Sequence, residues 1–228
     1  MRTLAIDTSL NAASSCVYDS DSGRMIAAET VPMDRGHAEA LLPLIERVIA
    51  AAVGGFQSLD RIAVTVGPGS FTGIRVGISA AKAFGISLGL PVVGVSTLAA
   101  FASQVVLEGG EGTIVAAIDA RHGQVYAQAV ASNGRMIVRQ KVTKIGDFIK
   151  LLGSGPIRFT GSGAANMIIE AWAMHVSADV AGSITIPSIE CIARLGTSAI
   201  PALAPPNPLY LKPADVSPAP IQIGRAHV

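Results

Sequence analysis

The chain has few cysteines, few aromatic side chains and almost no net charge. Of its 228 residues, two are cysteines and 4% are aromatic, and 17 basic residues face 16 acidic ones. Cys16 and Cys191 both lie in apolar segments, so we expect buried, reduced thiols in a cytosolic chain and no disulfide. Nucleic-acid binding normally needs clustered Lys and Arg. A net charge of +1 without a basic run argues against RNA binding by this chain alone.

Long hydrophobic runs are also missing. Half of the residues are hydrophobic and the mean hydropathy is +0.50, but no unbroken apolar run approaches the ~18 residues that span a bilayer. The start of the chain, MRTLAID, stops being apolar too early for a signal peptide and predicts a first strand. We expect a soluble, alanine-rich globular protein with no membrane partner.

The pattern of apolar residues predicts the same order of elements twice, three strands, a helix, a strand and a helix. The first series comprises strands at 2–7, 14–19 and 24–31, a helix at 36–53, a strand at 61–66 and a helix at 72–88. The second comprises strands at 113–119, 124–131 and 135–142, a helix at 145–152, a strand at 157–160 and a helix at 163–174. A strand at 92–95 and a helix at 96–107 connect the two, and a further helix covers 188–200.

Short repeats in the sequence agree with this duplication. Gly23-Arg24-Met25-Ile26 returns as Gly134-Arg135-Met136-Ile137, and Ala5-Ile6-Asp7 returns as Ala117-Ile118-Asp119. A fixed offset on corresponding strands indicates a duplicated unit. A duplicated βββαβα unit is the layout of the acetate and sugar kinase, Hsc70 and actin superfold, an α/β fold of two lobes that binds ATP between them.

This layout also predicts the domain organisation. We expect an N-terminal lobe over 1–107, with the helix at 188–200 packing back on it, and a smaller C-terminal lobe over 108–187. Seven of the 13 prolines lie from Pro201 onward, which predicts an extended or partly disordered Pro-rich tail over 201–228.

The loop Gly67-Pro68-Gly69-Ser70-Phe71-Thr72-Gly73-Ile74-Arg75-Val76-Gly77 joins a predicted strand to a helix. Free N–H groups and the helix dipole make such a turn a common anion site. A phosphate-binding P-loop, however, would need a glycine five residues after Gly67 or Gly69, followed by lysine. The dinucleotide fingerprint fails too, because Thr72 stands at its third glycine. The loop therefore has the shape of a nucleotide site without its charge.

Two acidic hairpins occupy the places where this superfold holds metal and phosphate. They are Asp7-Thr8-Ser9 and the segment from Asp119 to Gly123, where Arg121 replaces a small residue. Asp7, Thr8, Ser9 and Asp119 could be a vestigial nucleotide cleft, or the first hairpin could be a turn whose side chains bond to the backbone. Nucleophilic catalysis finds no support, since Ser70 lies outside the G-x-S-x-G elbow.

Several motifs together resemble the bacterial TsaB family, also called YeaZ, over about residues 1–213. They are Ile6-Asp7-Thr8-Ser9, His37-Ala38-Glu39 with Leu41-Leu42-Pro43, the loop 67–77, Asp119-Ala120-Arg121 with Tyr126, and Tyr210-Leu211-Lys212. The departures are modest: Ala38 replaces a common serine, Gln124 a common glutamate and Lys212 a common arginine.

The resemblance implies a non-catalytic partner of TsaD, which transfers a threonylcarbamoyl group onto the adenine beside the anticodon of tRNAs that read ANN codons. It further implies the ATPase TsaE as a third component, a homodimer when the chain is alone, and tRNA contact only through the complex. No cofactor is expected to bind tightly to this chain, because ATP and metal are expected on the partner subunits.

One difference from the TsaD-like enzymes concerns the metal. Those enzymes hold it with His-x-x-x-His, because positions i and i+4 place two imidazoles on one helix face. Here the residue four after His37 is Leu41, and His122, His175 and His227 are isolated in the sequence. We therefore expect no metal site. The alternative is an enzyme of the same superfold, either a nucleotide hydrolase that uses Asp7 and Asp119 or a metallopeptidase.

The predicted helix at 72–88 contains Gly73, Gly77 and Gly85, each of which costs about 0.8–1 kcal/mol of helix stability relative to alanine. Close packing would offset this loss, either inside the chain or against another subunit. For the second case we expect a partner or dimer interface formed by His37, Glu39, Leu41, Leu42, Ile45, Ile74, Arg75 and Ile78. Arg75 would form either a structural ion pair or a contact with a carboxylate or phosphate across the subunit boundary.

Overall fold

A computed structural model describes residues 1–182 and 184–212, and within them ten strands and six α-helices. The strands are β1 (Arg2–Asp7), β2 (Ala12–Asp19), β3 (Arg24–Pro32), β4 (Arg61–Gly67), β5 (Val92–Ser96), β6 (Thr113–Asp119), β7 (Gln124–Ala131), β8 (Met136–Lys144), β9 (Ile157–Thr160) and β10 (Ala178–Val180). The α-helices are α1 (His37–Ala51), α2 (Phe71–Leu88), α3 (Thr97–Glu108), α4 (Ile145–Ile149), α5 (Ala164–Ala173) and α6 (Ile189–Ser198). Short 3₁₀ turns cover Gly55–Ser58 and Pro201–Leu203.

The strands form two five-stranded sheets of the same topology. The first has the order β3-β2-β1-β4-β5, and the second, taken in the same sense, has the order β8-β7-β6-β9-β10. In each sheet the first two hairpins are antiparallel and the fourth strand runs parallel to the first. This confirms the duplicated βββαβα unit. Strand β10, the counterpart of β5, was not predicted, because three residues are too few for a recognisable pattern.

The first sheet is covered on both faces. Helices α1 and α2 pack on one face around Leu4, Ile6, Val64 and their neighbours, while α6 packs on the other against Ala5, Ala63 and Val93. Strand β1 is therefore buried from Thr3 to Asp7, as expected for a strand with helices on both sides.

Helix α3 connects the two sheets. Its Leu98, Phe101 and Val105 pack against the second sheet, and its Ala100 packs with the α6 side of the first. A serine begins three of the helices by accepting a backbone N–H: Ser70 for α2, Ser96 for α3 and Ser188 for α6. Such caps satisfy one of the N–H groups that have no partner in the first helical turn.

The first part of the predicted Pro-rich tail lies along the first sheet. After the 3₁₀ turn, the Gly94 N–H of β5 donates to the Ala204 carbonyl at 2.9 Å, and the Leu209 N–H donates to the Val66 carbonyl at 2.7 Å. Residues 204–212, named here the strap, thus lie against the first sheet. The rest of the predicted tail, 213–228, lies outside the described residues. The predicted domain boundaries at 107 and 187 stay a prediction.

Both cysteines are buried and unpaired, as predicted, and burial raises the pKa of the Cys16 thiol to about 12. Within the described residues, the structure contains no helix that combines the length and the apolar character needed to cross a membrane.

The glycines of α2 serve packing inside the chain. A Cβ on Gly73 would overlap the Thr8 carbonyl oxygen, and one on Gly77 would lie 2.6 Å from the Thr8 hydroxyl oxygen. The Thr8 hydroxyl also donates to the Gly73 carbonyl at 2.7 Å. Helix α2 therefore rests directly on the β1–β2 hairpin, and of the two explanations for its glycines the intramolecular one applies.

A substitution of Gly73 tests this contact. We expect Gly73→Ala to lower the free energy of unfolding by about 1–3 kcal/mol, despite the better helix propensity of alanine, because the new methyl group meets a backbone carbonyl. Ser87→Ala, on an exposed position of the same helix, is the control. Urea unfolding gives the free energy of unfolding of both variants. A Gly73→Ala protein more stable than the wild type would contradict the contact.

Candidate functional site

Helices α1 and α2 form an open groove on the surface of the first lobe. Its volume is about 850 Å³. It is lined by Ala38, Leu41, Leu42, Phe71, Thr72, Arg75, Val76, Ser79, Ala80, Ala83, Phe84 and Ser87. Five of the lining residues on α2 are small, so another chain could approach the helix backbone closely there; they are Thr72, Ser79, Ala80, Ala83 and Ser87.

Four of the eight predicted contact residues are buried. Leu41, Ile45, Ile74 and Ile78 are at most 4% exposed and belong to the core beneath the helices. Their side chains pack in the core against the first sheet of their own chain, and of the four Leu41 alone also lines the groove. Each helix has a second apolar face, and the sequence pattern did not separate the face that meets the sheet from the face that meets solvent.

The other four predicted contact residues remain accessible. Leu42 is 55% exposed in the groove, Glu39 and Arg75 are exposed, and His37 is half-buried at the start of α1. The His37 Nε2–H donates to the Leu10 carbonyl at 2.9 Å, so this side chain already has a partner within the chain. Whether these residues contact another subunit stays a prediction.

An aromatic and cationic cluster lies beside Phe71 and Arg75 of the groove lining. The Arg75 guanidinium carbon lies 3.8 Å from the centre of the Phe71 ring, and Arg75 Nε donates to the Tyr210 hydroxyl at 2.9 Å. The Tyr210 ring in turn stacks on Phe71 at 5.4 Å between centroids. Arg75 has no ion pair within the described residues, so the expected structural ion pair is absent there.

Neither Phe71 nor Tyr210 was predicted to be a contact residue. Tyr210 entered only as part of a family motif, in a segment expected to be extended or partly disordered. The usable signal was the pair Leu209-Tyr210, two large side chains in a proline-rich stretch.

The first acidic hairpin does not fit a nucleotide phosphate. Asp7, Thr8 and Ser9 have no exposed surface, and the Ser70 N–H at the start of α2 donates to the Ser9 carbonyl at 2.7 Å. A Cβ on Gly69 would overlap that carbonyl oxygen, so no space remains between loop and hairpin. The proposed vestigial cleft is therefore sealed on this side. The Ser9 N–H bonds to Asp7 Oδ1 at 2.9 Å, which confirms the backbone-bonded turn.

The buried carboxyl of Asp7 is protected from water on all sides. Its Oδ1 also accepts a hydrogen bond from the Thr65 hydroxyl at 2.5 Å, while its Oδ2 and the hydroxyl of Ser14, the opposite residue on β2, have no hydrogen-bond partner in the described structure. Desolvation by burial raises the pKa of Asp7, although the bonds from Thr65 and Ser9 act in the opposite direction. Burial disfavours the charged form.

The second hairpin is open. Asp119 is exposed, and its Oδ1 accepts the Arg121 N–H at 2.8 Å, so it makes the same turn as Asp7 at the surface. It lines a polar cleft of about 590 Å³ between the lobes, together with Asn11, Asp34, His37 and Arg121. The two aspartates therefore do not face one ligand. Within residues 1–182 and 184–212, no three His, Cys, Asp or Glu side chains are grouped so that they could hold a metal.

Comparison with known families agrees with the sequence motifs. The family model described as TsaD, tRNA N6-adenosine threonylcarbamoyltransferase, matches residues 30–202. The tRNA threonylcarbamoyladenosine biosynthesis protein TsaB of Buchnera aphidicola subsp. Schizaphis graminum (strain Sg) is 32% identical over 65% of this chain and 73% of that protein. The protein of the same name from Escherichia coli (strain K12) is 35% identical over 55% of this chain. The chain spans only 53% of the length of that relative.

Solved structures show the same fold. YeaZ from Pseudomonas aeruginosa gives a TM-score of 0.76 at 24% identity, over 92% of this chain and 99% of that chain. A ROK hexokinase from Thermus thermophilus gives 0.51 at 13% identity, over 86% of this chain and 98% of that chain. At these identities the likeness concerns the fold alone, and it confirms the sugar-kinase and actin superfold.

The buried position of Asp7 predicts a pH dependence of stability. Below the unfolded-state pKa of about 3.8, the Asp7 carboxyl is protonated in both the folded and the unfolded chain. Above this pH, Asp7 ionises in the unfolded chain but not yet in the folded one. The free energy of unfolding therefore falls as pH rises toward the higher folded-state pKa, by up to about 1.4 kcal/mol per pH unit. Asn at this position does not ionise.

We therefore expect the free energy of unfolding of the wild type, measured relative to Asp7→Asn, to decrease as pH rises above 3.8 and then to level off. Urea unfolding across this range measures the difference. Asp119→Asn is the matched control, because that carboxylate makes the same turn contact at the surface. A constant difference between wild type and Asp7→Asn would contradict the sealed position.

Proposed function

The chain belongs to the TsaB (YeaZ) family, and from this premise we propose that it is a non-catalytic partner subunit in the biosynthesis of N6-threonylcarbamoyladenosine in tRNA. The catalytic subunit would be a TsaD homologue, which modifies the adenine beside the anticodon of tRNAs that read ANN codons. A TsaE ATPase would complete the complex in the cytoplasm, and tRNA would reach this chain only through the complex.

One observation carries the proposal: α2 uses opposite faces for two purposes. Its glycine face closes the first nucleotide hairpin, and its outer face, with α1, forms the apolar groove. The closed hairpin leaves no space for a nucleotide phosphate, which argues against phosphate binding in this lobe. The open groove is concave and apolar, as are protein surfaces that receive a helix from a partner.

We propose that the groove receives the TsaD homologue. Leu42, Phe71 and Ala83 are exposed along it and would be covered by the partner, with Leu42 and Phe71 as the large apolar contacts. A free chain would expose this patch to water, and covering it with a second copy would account for a homodimer in the absence of the partner.

The alternative enzymatic functions receive less support. A nucleotide hydrolase would need Asp7 and Asp119 at one ligand, whereas Asp7 is buried and Asp119 is exposed. A metallopeptidase of this superfold would need a second imidazole near His37, where Leu41 instead packs into the core. Tight binding of ATP with magnesium, or stoichiometric zinc or iron in the purified chain, would favour an enzyme over a partner subunit.

A charged substitution in the groove tests the docking site. We expect Ala83→Arg to weaken binding of the TsaD homologue by at least about 30-fold, since a central contact contributes 2 kcal/mol or more. Ile86→Arg is the matched control, because Ile86 lies on the same helix, is 85% exposed and does not line the groove. Ile78→Arg would be a poor test, because Ile78 is buried and an arginine there would disrupt the core.

Calorimetric titration measures the affinities, and circular dichroism verifies that both variants are folded. Equal binding by Ala83→Arg and Ile86→Arg would remove the groove from the interface.

Reconstitution tests the function itself. With TsaD and TsaE homologues, ATP, threonylcarbamoyl-adenylate and tRNA, we expect modification to depend on this chain. We further expect modification to fall with Ala83→Arg and to persist with Ile86→Arg and Asp119→Asn. Modification at the full rate without the chain would refute the proposed role.

A further inference from the structure

Arg75 carries a positive charge that no carboxylate of the described residues neutralises. It lies near the N-terminus of α2, where the helix dipole disfavours a cation. Its position is nevertheless well defined, because the guanidinium lies 3.8 Å from the centre of the Phe71 ring and donates through Nε to Tyr210.

The aromatic contacts leave the terminal nitrogens of Arg75 available. A guanidinium has five N–H groups, and the bond to Tyr210 uses the one on Nε. The strap that carries Tyr210 is itself held to the first sheet through the Leu209 N–H. The guanidinium is thus oriented before any partner arrives, which lowers the entropy lost on binding.

Among the described residues that line the groove, Arg75 is the one with a charged side chain. A partner that covers the apolar part of the groove would therefore remove water from a single cation. Burying a charge without a counter-charge is strongly unfavourable. A suitable partner must supply an anion at this end of the groove. Because most of the other lining residues are apolar, a protein side chain fits better than a phosphate group.

We propose that the segment of the partner that occupies the groove carries an Asp or Glu opposite Arg75, and that its carboxylate receives two N–H bonds from the terminal nitrogens. Such bidentate pairs are geometrically selective. This inference rests on the proposed function, since it names the chemistry by which the TsaD homologue is recognised at the same groove. Arg75 would set the register and specificity of docking, while the apolar lining contributes contact area.

Binding of the purified TsaD homologue to Arg75 variants tests the proposal. We expect Arg75→Glu to weaken binding by about 30-fold or more, and Arg75→Lys to weaken it less, because lysine keeps the charge but loses the two-pronged geometry. Ile86→Glu is the matched control, because Ile86 is exposed on the same helix and lies outside the groove lining. Lys82 is unsuitable, because its Nζ donates to Asn207 of the strap at 3.3 Å.

A charge swap identifies the opposing carboxylate. Each Asp and Glu on the docking surface of the TsaD homologue is changed to Arg and combined with Arg75→Glu. We expect one combination to restore affinity relative to Arg75→Glu alone, because only that pair exchanges its charges. Absence of any rescue, or Arg75→Glu binding as tightly as wild type, would overturn the inference.

These outcomes are distinct from failure of the proposed function. If Ala83→Arg abolishes binding while Arg75→Glu does not, the groove remains the docking site and the proposed contact between Arg75 and a partner carboxylate is refuted. If both variants bind normally, the docking site itself is wrong. If Arg75→Glu abolishes only self-association, seen as a monomer by analytical ultracentrifugation, the anion belongs to a second copy and this inference also fails.

Discussion

The contact between α2 and the β1–β2 hairpin is the constraint on which the other features of the site depend. Gly73 and Gly77 let the helix backbone reach Thr8, and the Thr8 hydroxyl donates to the Gly73 carbonyl. The glycines lower the intrinsic stability of the helix, and close packing plus a buried hydrogen bond compensate for that loss. The same contact removes the space that a phosphate would need, so one feature explains both the composition of the helix and the closed hairpin.

The position of α2 also determines what faces outward. Once its glycine face lies on the hairpin, Ile74 and Ile78 point into the core, and Phe71, Arg75 and Ala83 line the groove with α1. The strap then adds Tyr210 to this edge through its hold on the first sheet. A partner would meet a mostly apolar groove formed by two helices. Arg75, the charged residue among the described residues that line it, is oriented by a segment more than 120 residues further along the chain.

The two lobes show how the same unit can diverge. Asp7 and Asp119 end corresponding strands and make the same backbone-bonded turn, yet the first is sealed and the second is exposed. The difference lies in what packs on each turn, since α2 covers the first turn while the second lines the cleft between the lobes. The first lobe thus retains the fold while its acidic hairpin is inaccessible.

The sequence by itself determined the duplicated βββαβα order, because strand and helix periods and the repeated motifs are local patterns. It also excluded a standard P-loop and a His-x-x-x-His pair, since these depend on spacing alone. Only the tertiary structure decided which face of each helix is buried, because Leu41, Ile45, Ile74 and Ile78 are apolar in either case and the sheet selects among them. It likewise decided the placement of Tyr210 beside Arg75, because contacts between distant segments arise from packing, which no local pattern contains.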